Sequence, residues 1–202
     1  NPGEIICLDF NEEKIYDIDQ ITSNIKTNTK IKSVLASVIN LDQLRKVFDE
    51  NRPHIVIHAA AYKHVPIQEL HPWTAVDTNV EGTMNLVELS GNFSVDRFVL
   101  VSTDKAVNPV NIMGATKRVS EKIIQSYNKD SKTTFMAVRF GNVLGSSGSA
   151  IPTFQEQIKK GGPITITHPE MTRYFMSIHE ASQLILQCSA LGRDADIFLL
   201  EM

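Results

Sequence analysis

Short runs of consecutive aliphatic residues alternate along this chain with stretches in which apolar residues recur every three or four positions. Ile5-Ile6-Cys7-Leu8, Ile55-Val56-Ile57, Phe98-Val99-Leu100-Val101 and Phe135-Met136-Ala137-Val138 are apolar throughout. A strand apolar on both faces belongs in a parallel sheet covered by helices on each side. Between these runs, Leu41, Leu44, Val47 and Phe48 keep helical spacing, as do Val76, Val80, Met84 and Val87, and later Val119, Ile123 and Tyr127. Ser177 with Glu180 three residues on is a capping-box signature, and Ile178, Ala181, Leu184, Ile185 and Cys188 form the apolar stripe behind it. This order predicts an α/β fold with a doubly wound, Rossmann-like parallel sheet.

The pattern changes after Phe140. Glycines gather from Gly141 to Gly162, and Ile164 to Thr167 then reads as a short strand. Residues 1–140 are therefore expected to form a dinucleotide-binding core, and residues 141–202 to continue it and begin a substrate-binding part. Sheets of this kind usually open with a strand and a glycine-rich turn that holds pyrophosphate at a helix N-terminus. No such turn precedes a helix here, so the first β-α unit and its loop are expected to be absent from this chain. Asp9 then stands where an acidic side chain bonds the adenosine ribose, and no Arg follows it to receive a 2′-phosphate, which favours NAD over NADP. Taken alone, an Asp after a strand is a turn residue.

Composition narrows the class. Of 202 residues, 42% are hydrophobic and 21% charged, as in ordinary globular domains, and the net charge of −3 argues against a nucleic-acid partner. The lysines between Lys26 and Lys32 are interrupted by Thr and Asn and read as a solvated loop. No apolar run reaches the roughly 18 residues of a membrane span. Cys7 and Cys188 lie far apart in apolar runs, as buried thiols of a reducing cytoplasm do. The expected location is the cytoplasm, or the cytoplasmic face of the membrane if the parent protein carries an N-terminal membrane region. The six histidines show no metal-ligand spacing, so no metal is assigned.

The chemistry concentrates in Ser102-Thr103-Asp104-Lys105, directly after the strand Phe98–Val101. Ligands of open α/β sheets bind at the carboxyl ends of strands, which would turn these groups toward a cofactor crevice. A polar strand exit is the plainer alternative. Met113 and Lys117 follow, four apart and so on one helix face. Hydride-transfer enzymes of this layout normally present Tyr-x-x-x-Lys there, the Lys lowering the Tyr pKa and holding the nicotinamide ribose. A Met thioether cannot transfer a proton, so another group must serve, and Asp104 is nearest in sequence.

Several segments together resemble the CapD-like polysaccharide-biosynthesis family, the UDP-N-acetylglucosamine 4,6-dehydratases among extended short-chain dehydrogenases. They are His58-Ala59-Ala60-Ala61-Tyr62-Lys63-His64-Val65-Pro66, Thr78-Asn79-Val80-Glu81-Gly82-Thr83, Ser102 to Pro109, Met113 to Lys117, Arg139 to Ser146, and Arg173-Tyr174-Phe175-Met176. The resemblance implies NAD as cofactor, a UDP-sugar as substrate and a homo-oligomer. It implies Thr103 as donor to the C4 oxygen of the sugar, Asp104 as acid for the leaving C6 hydroxyl and acceptor of the C4 proton, and Lys105 as base at C5. A lysine acting as a base must lose its proton, which burial beside Lys117 and the cofactor would favour.

Further implied cofactor contacts are Ala59, Ala60, Ala61, Asn79, Ser102 and Lys117, and implied substrate contacts are Lys63, His64, Asn142 and Arg173. Read without the resemblance, Asn142 is a turn former beside Gly141 and Arg173 a surface ion pair. Two other functions fit the same scaffold: a UDP-sugar 4-epimerase or a dehydratase that also inverts C5, and, in a different class, a catalytically silent nucleotide-binding module.

Overall fold

The computed structural model describes residues 2–127, 131–146, 150–166 and 168–199. Strand β1 (Glu4–Asp9) leads through helix α1 (Glu12–Ser23) to a parallel partner, β2 (Lys30–Leu35). The second half of the expected lysine loop is thus a strand. Lys30 and Lys32 reach Glu4 on the neighbouring strand at 3.3 and 3.0 Å, so their charges are met from across the sheet while Ile31 and Val34 are half-buried.

Helix α2 (Leu41–Asn51) follows, capped by Asn40, whose side chain accepts from the Gln43 N–H at 3.1 Å. Strands β3 (Ile55–His58), β4 (Arg97–Thr103), β5 (Thr134–Phe140) and β8 (Ile197–Leu199) then form a second, wholly parallel sheet in that order. The continuous apolar run of β4 follows from its place in this sheet. Phe98 and Leu100 face a core with Phe135, Leu44 and Phe48, together with Leu86 and Leu89 of helix α5 (Gly82–Asn92) and Ile124 of helix α6 (Ile112–Tyr127). Val99 faces the other way, with Met136 and Val138, onto Cys188 of helix α8 (Ile178–Leu191). Both bonds of the expected capping box at the start of α8 are present, Glu180 N–H to Ser177 Oγ at 3.1 Å and Ser177 N–H to Glu180 Oε2 at 2.6 Å.

The stretch expected as one helix through Val76 and Val87 is built differently. Short helices α3 (Val65–Leu70) and α4 (Pro72–Ala75) run into a π-helical turn, Val76–Glu81, before α5 begins. The wider turn rotates the face, so Val76 and Met84 are exposed and Asn79 is fully buried with Ala75, Thr83 and Leu86. Beyond β5, the two-residue strands β6 (Asn142–Val143) and β7 (Phe175–Met176) pair in parallel, with helix α7 (Ala150–Lys159) between them in sequence.

The strand expected at Ile164–Thr167 is not formed by its described residues 164–166, and Thr167 lies outside them. The Thr165 N–H donates to the Gln157 side-chain oxygen at 3.0 Å, which removes it from any ladder. Among the described residues no helix is long and apolar enough to cross a membrane.

Candidate active site

The carboxyl ends of β1, β2 and β3 meet around a cavity of about 280 Å³. Asp9 and Phe10 line it from β1, Ser37 and Val38 from the loop after β2, and Ala59, Ala60, Ala61 and Tyr62 from the loop after β3. The three alanines keep this wall low. Asp9 also accepts the Asn11 N–H at 2.9 Å, so it both shapes the turn and borders the cavity. Phe10 and Tyr62 meet edge to face at 6.4 Å.

Asn79 sets the height of that wall. Its Oδ1 accepts the Tyr62 N–H at 2.8 Å, and its Nδ2 donates to the Tyr62 carbonyl at 3.1 Å and to Thr116 Oγ1 at 3.0 Å. The amide is spent within the protein, and Asn79 acts on the cavity through Tyr62. The π turn that buries it also leaves the Asn79 carbonyl accepting from Thr83 at 2.6 Å and from Ser120 at 2.5 Å. Thr83 in turn meets His58 Nε2 at 3.0 Å. Burial and the positive charge on Lys117 push the His58 imidazole down to about 3, so it stays neutral at physiological pH.

At the end of β4, Thr103 opens a 3-10 turn, Asp104–Ala106. Thr103 Oγ1 donates to Asp104 Oδ1 at 2.8 Å, and Lys105 Nζ reaches the same oxygen at 2.9 Å. Asp104 is half-exposed and the Lys105 side chain only 27% exposed. Burial raises the Asp104 carboxyl, but the bonds from Lys105 and Thr103 outweigh it and hold the group below the usual carboxylate range. The turn packs on the first turn of α6, where Gly114 lies against the Lys105 carbonyl.

Met113 and Lys117 lie on that helix, each 4% exposed. The Lys117 ammonium makes no hydrogen bond to a described residue. Burial pushes it down to about 8, against the pull of Glu121. The hydroxyl of Ser102, expected at the cofactor, donates to Glu121 at 2.6 Å. Arg118 stands three residues from Glu121 on the same helix, whereas Arg139 reaches Glu121 from β5 and becomes its partner only when the chain folds.

The remaining positions come from the loop after β3 and from the region of β6 and β7. Lys63 and His64 are exposed in the loop before α3. Asn142 donates its backbone N–H to the Tyr174 carbonyl at 3.0 Å, which brings it beside Arg173 just past the end of β5. Arg173 is exposed and its guanidinium meets Met171 Sδ at 2.8 Å, with no ion pair among the described residues.

Parallel sheets flanked by helices, with a cavity at the strands' carboxyl ends, make this a Rossmann-like α/β fold. The dTDP-glucose 4,6-dehydratase DesIV of Streptomyces venezuelae, solved with NAD and TYD bound, superimposes with a TM-score of 0.86 at 20% identity, over 98% of this chain and 66% of that one. The chain belongs to the polysaccharide biosynthesis protein family, whose model matches residues 1–202. It is 52% identical to the capsular polysaccharide biosynthesis protein CapD of Staphylococcus aureus over all of its length, and spans 34% of that relative. It is 40% identical to a UDP-glucose 4-epimerase of Rickettsia rickettsii over 96% of the chain and 58% of that relative.

Proposed function

We propose that this chain is the dinucleotide-binding and proton-transfer core of an NAD-dependent enzyme that removes water across C4 to C6 of a UDP-N-acetylhexosamine, UDP-N-acetylglucosamine being the substrate of choice. One observation carries the reading. Thr103, an ionised Asp104 and its partner Lys105 are presented at the carboxyl end of β4, packed on the helix that buries Lys117.

The cavity suits the adenosine half of NAD: Asp9 meets the ribose, Ala59 to Ala61 leave room for it, and among the described residues no Arg or Lys lines the wall to receive a 2′-phosphate. Lys117 would hold the nicotinamide ribose. Bound there, NAD supplies a hydride acceptor for the C4 carbon and later a donor for C6.

Every proton is then handled by the chain. Thr103 donates to the C4 oxygen and orients it. The anionic Asp104 takes the C4 hydroxyl proton, a task Met113 cannot perform, and delivers it to the departing C6 hydroxyl as water. Lys105, freed of its ion pair once Asp104 is neutral, gives its ammonium proton to solvent, removes the C5 proton, returns a proton to C5, and takes one back from solvent when Asp104 is again an anion. Net loss is a single water. Lys63, His64, Asn142 and Arg173 are proposed to face the nucleotide-sugar, Arg173 toward its phosphates. Residues 1–140 serve as the cofactor core and residues 141–202 begin the substrate side. The reading places the enzyme in the cytoplasm, as a homo-oligomer.

The test uses the full-length protein with UDP-N-acetylglucosamine in deuterated water. The expected product lacks one water and carries deuterium at C5, and Lys105→Met abolishes the deuterium while sparing C4 oxidation. An isomer of unchanged mass would instead show a 4-epimerase, the reading that the Rickettsia relative favours. A purified protein that releases no dinucleotide on denaturation would show a silent module, the reading that Met113 favours.

A further inference from the structure

One carboxylate lies at the crossing of three elements behind the proposed reaction site. Glu121 is fully buried on α6. It accepts from Ser102 Oγ of β4 at 2.6 Å, from Arg139 Nε and Nη2 of β5 at 2.7 and 2.6 Å, and from Arg118 Nη1 of its own helix at 2.9 Å. A buried ion pair is weak evidence for stability, since its desolvation roughly cancels its attraction. Its placement is informative. Ser102 and Arg139 are register partners, and Ser102 immediately precedes Thr103-Asp104-Lys105. Glu121 also lies one helical turn beyond Lys117, on the same face.

We propose that Glu121 is a positioning residue of this site: it ties the exit of β4 to α6 and is the counter-charge of the Lys117 ammonium. The proposal rests on the reading of Thr103 to Lys105 and Lys117 as the place of reaction. Among the described residues, Lys117 interacts electrostatically with His58 and Glu121. His58 of β3 is neutral, and in the turn after β4, which packs on α6, Asp104 and Lys105 are paired with each other at 2.9 Å. From its own helix comes Glu121, shared with Arg139 of β5 and with Arg118. Burial lowers Lys117 and Glu121 opposes it. Burial would raise Glu121 itself, but the bonds from Arg139, Ser102 and Arg118 prevail and keep it ionised.

Two substitutions on the same ion pair separate this role from a structural one. Glu121→Gln removes the anion and leaves two guanidiniums, so the Lys117 titration should move down by about one unit or more. Arg139→Gln leaves Glu121 with only Arg118 and Ser102, so the Lys117 titration should move up. The measurement follows the Cε resonance of ¹³C-labelled lysine in the full chain, with Lys117 assigned by its loss in Lys117→Arg.

Opposite shifts support the proposal. No shift, or shifts of one sign in both variants, overturns it, as expected of a carboxylate that only holds the fold. Should Glu121→Gln fail to fold, Arg139→Gln decides alone, an upward shift supporting and any other result overturning. The titration needs no sugar, so lack of turnover counts against the dehydratase reading without touching these shifts.

Discussion

Gly114 faces the carbonyl of Lys105 so closely that a methyl group on its Cα would overlap the oxygen. This approach seats the turn carrying Asp104 and Lys105 on the helix carrying Met113 and Lys117. Gly114→Ala must push the two apart. It is expected to destabilise by about 1–3 kcal/mol, the usual cost of overpacking, and to lower turnover beyond what the stability loss explains. Urea unfolding beside steady-state kinetics checks both, and an alanine variant with unchanged turnover would remove the turn from the mechanism.

Asn79→Ala strips the Tyr62 N–H and carbonyl of their partners inside the protein. Each unsatisfied group costs about 1–3 kcal/mol, so a loss of roughly 2–6 kcal/mol is expected. The wall formed by Ala59 to Tyr62 should loosen with it, weakening NAD binding. Calorimetric titration with NAD at a temperature where the variant is folded measures that second effect, and unaltered affinity would confine Asn79 to holding the fold.

Lys117 is buried with its ammonium depressed to about 8, so folding opposes its charge. The unfolded chain binds this proton up to about 10.4 and the folded chain only up to about 8, so stability rises with pH across that window. At neutral pH the penalty is on the order of 3 kcal/mol, taking about 1.4 kcal/mol per unit. Lys117→Met should therefore be more stable than the parent at pH 7, lose that advantage toward pH 10.5, and bind NAD poorly. A parent that is the more stable of the two at pH 7 would contradict the desolvation account.

His58 acts at the other end of the scale. It stays neutral to about pH 3 in the fold but takes a proton near 6.5 when unfolded, so its contribution is lost as pH falls from about 6.5 toward 3. Glu121, held below the ordinary carboxylate range, loses its contribution in the same direction. His58→Gln should flatten the acid limb of the stability curve at the cost of some stability at pH 7. Unfolding free energies at pH 5 and pH 7 test this, and an unchanged slope would sink it.

Asp104 is half-exposed, so its pair with Lys105 adds little to stability. Asp104→Asn is expected to change stability by no more than about 0.5 kcal/mol. Turnover should fall by roughly 10²–10⁴-fold, the range of a positioned proton carrier. A drop of less than tenfold would pass the proton to another group.

Much of the fold was legible because continuous apolar runs report burial on both faces of a strand, and β1, β3, β4 and β5 lie where those runs are. Strand β2 was missed because Lys30 and Lys32 look like surface charges until Glu4 is placed beside them. The π turn escaped because a spacing of three or four residues is read as α-helix. Only the partners waiting at Tyr62 and Thr116 repay the burial of Asn79.

By itself the sequence determined the kind of sheet, the capped helix at Ser177, and the closeness of Thr103, Asp104 and Lys105, since neighbours in a chain stay neighbours in a fold. Tertiary structure alone decided that Ser102 bonds Glu121, and that Arg139 joins them. Those contacts depend on which strand lies next to which and in what register, a property of the whole sheet that no local period encodes.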